Sequence, residues 1–244
     1  MNDEFYIGYE PTMPARLAGR VRRIACGLIA LALVMPAALV FTEDRFEPGV
    51  FEYGRVRTFS GRIVEFPYPA LIAGDVTTAT RVYWLVGPGK HGAEDVIRGR
   101  DGQHVRFSGS LIERDSDAMI EVVPQSVVVT SAGATEIEPL RSLGVLVVEG
   151  EIVDSKCHLG VMKPGEGPTH RDCAVRCLLG RIPPMFVPHN RADLGRMSLV
   201  SDAARPFANA GVFAGRRVSV RGEILQRGAQ KFLGVSQRDI RLID

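Results

Sequence analysis

An internal repeat constrains this chain more than any other feature. FSGRIVEF (59–66) is echoed by VEGEIVDS (148–155), YWLVG (83–87) by MSLVS (197–201), GQHVRFSGSLIERD (102–115) by GRRVSVRGEILQRG (215–228), and MIEVVPQSVVV (119–129) by KFLGVSQRDIRLI (231–243). Gly61 aligns with Gly150, and Gly109 with Gly222. Apolar residues two apart, Val105 and Phe107 in the first copy and Val218 and Val220 in the second, read as strands. Ala93–Arg98 and Phe207–Phe213 read as short helices ended by Gly99 and Gly215, and residues 115–117 and 227–228 carry hairpin signals. Four to five short strands and one helix in about 75–95 residues suit a small Greek-key barrel of the OB type. The expected fold class is therefore all-β with short helices: two tandem OB-like barrels, 55–130 and 146–244, joined by a linker over 131–144. The 26 glycines suit so turn-rich a chain. Two unrelated β-sandwiches are the alternative; the shared glycines and shared order favour duplication.

The N-terminal part does not belong to the repeat. Residues 1–23 are polar and end in Arg16, Arg20, Arg22 and Arg23; Ile24 to Phe41 then runs for eighteen residues without a charge, and Glu43 and Asp44 follow. That length is at the short end for a membrane span. Positive charge before and negative after predicts a cytoplasmic tail (1–23), an anchor (24–41) and barrels on the far side. A cleaved signal peptide is the alternative; the long leader and the lack of a small-x-small site favour an uncleaved anchor. Pro36 is tolerated in a spanning helix. Cys26 lies inside the apolar run and reads as a small apolar residue. Residues 42–54 read as a linker. Net charge is +2 with no long basic run beyond the N-terminus, so no nucleic-acid partner is expected.

The second copy carries about twenty-five extra residues between its first two echoed segments. This insertion, 157–186, reads CHLGVMKPGEGPTHRDCAVRCLLGRIPPMF and holds three of the four cysteines and two of the five histidines. Thr169 looks like an N-cap with Asp172 three residues on, opening a helix from His170 to about Leu179 that stops at Gly180, before Pro183 and Pro184. Spacings of i, i+3 and i+7 put His170, Cys173 and Cys177 on one stripe. Cys157, at a strand end, is placed to close over it. One imidazole and three thiols form a metal-ligand set for zinc or copper(I); a [2Fe–2S] cluster also accepts it. Cys173 lies in the first turns of the helix, where the dipole favours thiolate. The rival is a thiol-redox or disulfide-stabilised module joining Cys157 to Cys173 or Cys177. A Cys173–Cys177 bridge inside a helix is disfavoured, because Cβ atoms about 5–6 Å apart exceed the about 3.8 Å a disulfide needs.

Asp154, three residues before Cys157, is a candidate outer acceptor for an imidazole N–H, with a plain strand-end carboxylate as the other reading. His158, Met162 and Met185 are further candidates near the site. For the histidine, and for His189, the plainer reading is a solvent-facing loop residue; for the methionines it is packing. Trp84 and Tyr83 read as core and rim, and KHGAED (90–95) as a plain helix start. The sequence has no Gly-rich phosphate loop, no Ser-His-Asp order and no CxxCH, and no residue is placed as a general acid or base with a partner, which argues against an enzyme.

Cys157…His170-Arg-Asp-Cys173-Ala174-Val-Arg-Cys177…Gly180-Arg-Ile-Pro183 resembles a cluster in small, largely uncharacterised exported bacterial proteins. These carry a strand GxhVDxxC, then HxxCAxxC and a GxP turn. The resemblance covers residues 148–187, about a sixth of the chain. It implies an OB-like barrel with a Cys/His cluster in a metal or redox role, and places the anchor in a bacterial inner membrane with the barrels periplasmic. An accessory of a membrane complex is the matching structural role. Where such sequences often show two glycines before Ile-Pro, this chain has Gly180-Arg181.

Overall fold

The computed structural model describes residues 13–43, 49–74, 81–131 and 138–243. It divides into two compact units, 1–47 and 48–244. The described residues of the first form one helix, α1 (Ala15–Glu43), interrupted in sequence but not in structure by Pro36. It starts ahead of the apolar run, so the arginine cluster forms its first turns rather than a separate tail. Twenty-nine residues at 1.5 Å each span about 43 Å, more than a hydrocarbon core of about 30 Å. The helix is long and apolar enough to cross a membrane, and none of its apolar stretch is buried within the protein. A signal sequence meets the same description.

The second unit holds two closed five-stranded barrels. In chain order its strands are β1 (Val50–Phe51), β2 (Arg57–Val64), β3 (Ala70–Ala73), β4 (Arg81–Val86), β5 (His104–Arg114), β6 (Asp117–Val122) and β7 (Val128–Ser131), with α2 (Glu94–Ile97) between β4 and β5. Then come β8 (Arg141–Asp154), α3 (Arg171–Leu179), β9 (Pro184–Pro188), β10 (Met197–Ser201), β11 (Arg217–Arg227), β12 (Gln230–Val235) and β13 (Ile240–Leu242). The first barrel closes in the order β5-β2-β3-β4-β6-β5 and the second as β11-β8-β9-β10-β12-β11. Among the pairings of each barrel, only β4–β6 and β10–β12 are parallel. β1 and β7 extend from β5, and β13 from β11.

The two registers coincide. Gly61 faces Val105 as Gly150 faces Val218. Ile63 faces Leu71 as Ile152 faces Phe186, and Trp84 faces Met119 as Ser198 faces Phe232. The aligned glycines have one cause: a Cβ would lie 2.4 Å from the Ile72 carbonyl oxygen at Gly61 and 2.2 Å from that of Val187 at Gly150. At Gly109 and Gly222 it would lie 2.8 Å from the carbonyl oxygens of Glu121 and Gly234. The strands approach too closely there for any side chain. Equivalent positions fill each interior: Ile63, Leu71, Leu85, Val105 and Ile120 in one barrel, Ile152, Phe186, Leu199, Val218 and Leu233 in the other.

Where the expectation had a helix over Phe207–Phe213, the second copy has a 3-10 turn, Ala210–Val212. The linkers are shorter than expected, because β1 lies within 42–54 and β8 begins at Arg141; residues 132–137 fall outside the described residues.

The barrels pack against each other through the same outer face. Val64, Trp84, Val86, Ile112 and Met119 of the first meet Val153, Met185, Val200, Leu225 and Phe232 of the second in one apolar cluster. Trp84 therefore sits on the outside of its barrel, edge-on to Phe232 at 5.7 Å. Tyr68 donates its hydroxyl to the Leu199 carbonyl (2.6 Å) and accepts from the Phe207 N–H (2.9 Å). Arg196 bonds Asp115 and Asp117 across the same boundary. Cys157, Leu159, Cys177 and Ile182 belong to this seam. The insertion is thus ordered by apolar packing against the first barrel.

Candidate metal centre

β8 delivers Asp154, which is fully buried. One carboxylate oxygen accepts the Cys157 N–H at 2.9 Å, turning the chain into a wide π-type turn, Cys157–Val161. The other lies 3.0 Å from His170 Nε2. His170, rather than Thr169, occupies the N-cap of α3, and no side chain caps that end; its carbonyl accepts the Ala174 N–H at 3.0 Å. Cys173 is half-buried, Cys177 is buried, and all three cysteines of the insertion are free thiols. Their sulfurs lie within 4.8 Å of one another, with Cys157 and Cys177 at 3.9 Å. Asp154, Cys157 and His170 form a second group of the same tightness. Both groups can hold a metal ion.

A cation from the other barrel completes the cluster. Lys90 Nζ donates to Cys173 Sγ at 2.8 Å and to Cys177 Sγ at 3.6 Å. Its loop is held in two ways. Lys156, 3 % exposed, donates to the carbonyls of Gly87 (2.9 Å) and Gly89 (2.7 Å) and pairs with Glu121. Gly180 packs so closely that its Cβ would lie 1.7 Å from the Lys90 carbonyl oxygen, and its own carbonyl accepts the Gly92 N–H. The next residue, Arg181, takes the left-handed conformation (φ 69°) that a glycine would adopt freely, and it pairs with Asp95.

The electrostatics of the thiols follow from these contacts. The contact with Cys177, together with burial, pushes the Cys157 thiol up; the same contact, aided by Lys90, pulls the Cys177 thiol down. The hydrogen bond to Cys173 raises Lys90. The cluster favours thiolate at Cys177.

Two outer candidates differ from expectation. His158 is buried, not solvent-facing, because the turn after Cys157 folds under the first barrel: Arg114 donates to its carbonyl at 3.0 Å, and Nδ1 lies 3.4 Å from a Glu166 carboxylate oxygen. Met185 is buried in the seam, whereas Met162 and His189 are exposed. Sequence reasoning missed Lys90 and Lys156. A charged residue next to Cys157 was a faint signal for the second; nothing local marks the first.

Burial, with Arg114 and Arg196 nearby, pulls the His158 pKa down to about 3. The unfolded imidazole binds a proton below about pH 6.5 while the folded one does not. This residue therefore removes stability as pH falls from about 6.5 toward 3. His158→Asn should show a shallower loss over that range in urea unfolding; an unchanged slope contradicts a buried neutral imidazole.

No family model matches the chain, and neither curated proteins nor solved structures give a match.

Proposed function

We propose that the protein is a membrane-anchored, exported metal-binding protein whose thiolates at Cys157, Cys173 and Cys177 hold zinc or copper(I) in the seam between two OB-type barrels. One observation carries this reading: the 3.9 Å between Cys157 Sγ and Cys177 Sγ. Two thiolates on a tetrahedral ion with bonds of about 2.3 Å lie about 3.8 Å apart, whereas a disulfide brings them to about 2.05 Å. Soft sulfur ligands suit both metals. His170 belongs to the set through Cys157 and Asp154, and Lys90 offsets thiolate charge. A [2Fe–2S] cluster fits the same ligand types and would colour the protein. The expected role is metal handling or service to a membrane complex, in keeping with the resemblance of residues 148–187. Five closed strands in one repeated order support the OB reading.

A second reading is thiol redox. A raised thiol beside a lowered one at 3.9 Å is favourable for exchange through Cys157 and Cys177. Counting reactive thiols in denaturant separates the two. Metal binding gives all four cysteines of the chain once a chelator is present; a disulfide hides two with or without it.

The arginine cluster before the apolar run supports a cytoplasmic N-terminus in a bacterial inner membrane, with the barrels periplasmic. A reporter active only in the cytoplasm, fused after Asp244, should stay silent; activity there would reverse the orientation.

A further inference from the structure

Cys157 is shared by two groups of ligand atoms. On one side stand the sulfurs of Cys173 and Cys177; on the other, a carboxylate oxygen of Asp154 and a ring nitrogen of His170. Asp154, Cys157 and His170 are 0 %, 4 % and 4 % exposed. We infer that the centre is built for two divalent ions bridged by the Cys157 thiolate, the first on the three sulfurs and the second on Asp154, Cys157 and His170. The inference rests on reading the thiol cluster as a metal site.

Geometry supports it at both positions. The sulfur pair already stands near a tetrahedral edge. At the second position Asp154 Oδ2 and His170 Nε2 are 3.0 Å apart. An oxygen and a nitrogen bound to one tetrahedral ion at about 2.0–2.1 Å lie about 3.3 Å apart. An ion can therefore take the place of the proton these two atoms share, with an opening of a few tenths of an ångström. The carboxylate is already oriented for this: Oδ1 is engaged by the Cys157 N–H, which leaves Oδ2 for the ion. A thiolate sulfur has lone pairs enough to serve two ions at once.

Charge points the same way. Three thiolates and the Asp154 carboxylate place four negative charges in a seam of low polarity. One divalent ion leaves two of them, of which Lys90 offsets one. A second divalent ion covers the last. The mixed oxygen, nitrogen and sulfur set of the second position suits a borderline ion such as zinc or cobalt(II) rather than copper(I).

The test uses the full chain in detergent, with thiols reduced, loaded with cobalt(II) and freed of excess. Elemental analysis should give two ions per chain. Spin coupling through the shared thiolate should weaken the electron paramagnetic resonance signal per ion. Asp154→Asn, which keeps the Oδ1 acceptor, and His170→Ala should each halve the ratio to one, restore the uncoupled signal and retain the thiolate-to-cobalt absorption. One ion per wild-type chain, or two ions retained by both variants, overturns the inference while leaving the thiolate site intact. No ion at all, with no thiolate-to-cobalt absorption, overturns the metal reading itself and this inference with it.

Discussion

Cys177→Ser should strip the ion held by the three sulfurs. The residue is 1 % exposed and faces both the Cys157 sulfur and Lys90, so its thiolate is the inner wall of the cluster. Serine keeps the volume but stays protonated and is a poor ligand for soft ions. Losing even an outer partner of a metal ligand costs about 10–100-fold in affinity, and losing a ligand costs more. The fold should survive, because neither barrel interior includes Cys177. Leu159 and Ile182 continue to hold the insertion in the seam, so new protease cuts should be confined to its exposed stretch around Met162 and Lys163. Metal content and limited digestion of the variant check this. A variant that keeps wild-type metal excludes Cys177 as a ligand.

Lys156→Met should destabilise the barrel pair by about 3 kcal/mol, the lower end of the range for stripping one partner from a buried ion pair. Methionine fills the path of the side-chain stem. It leaves two carbonyls, Gly87 and Gly89, and the Glu121 carboxylate without their donor. Glu121 is 21 % exposed and regains some water, which keeps the cost from the upper end. The freed loop is the one that carries Lys90, so the ammonium should also leave the sulfurs. Urea unfolding measures the loss. Adding Glu121→Gln to the variant should recover part of it, since the orphaned charge is then gone. A change under about 1 kcal/mol in the single variant would contradict the clamp.

The repeat was legible because it is written in backbone contacts. Gly61 and Gly150, and Gly109 and Gly222, each stand where another strand's carbonyl leaves no room for a Cβ, so the aligned positions carry the register with them. β3 and β9 escaped notice for a physical reason. They are short, they follow connections of different length, and β9 begins and ends in proline, which reads as a turn. Helix α3 was visible from its spacing, but its first residue was not: Thr169 has the chemistry of a cap, while Asp154 holds His170 in that place. The seam was illegible. Trp84 and Phe232 look like core residues of their own barrels, and only the packed structure turns them outward against each other. The same packing buries His158 and brings Lys90 to Cys173 across 83 positions of sequence, a juxtaposition that no local pattern encodes.

Elemental analysis of the wild-type full chain, purified from its membrane with thiols kept reduced and no metal added, tests the central claim most directly. The expected result is at least one zinc or copper ion per chain, released by a chelator together with the appearance of free thiols. Protein that is free of metal and carries a disulfide between Cys157 and Cys177 would contradict it.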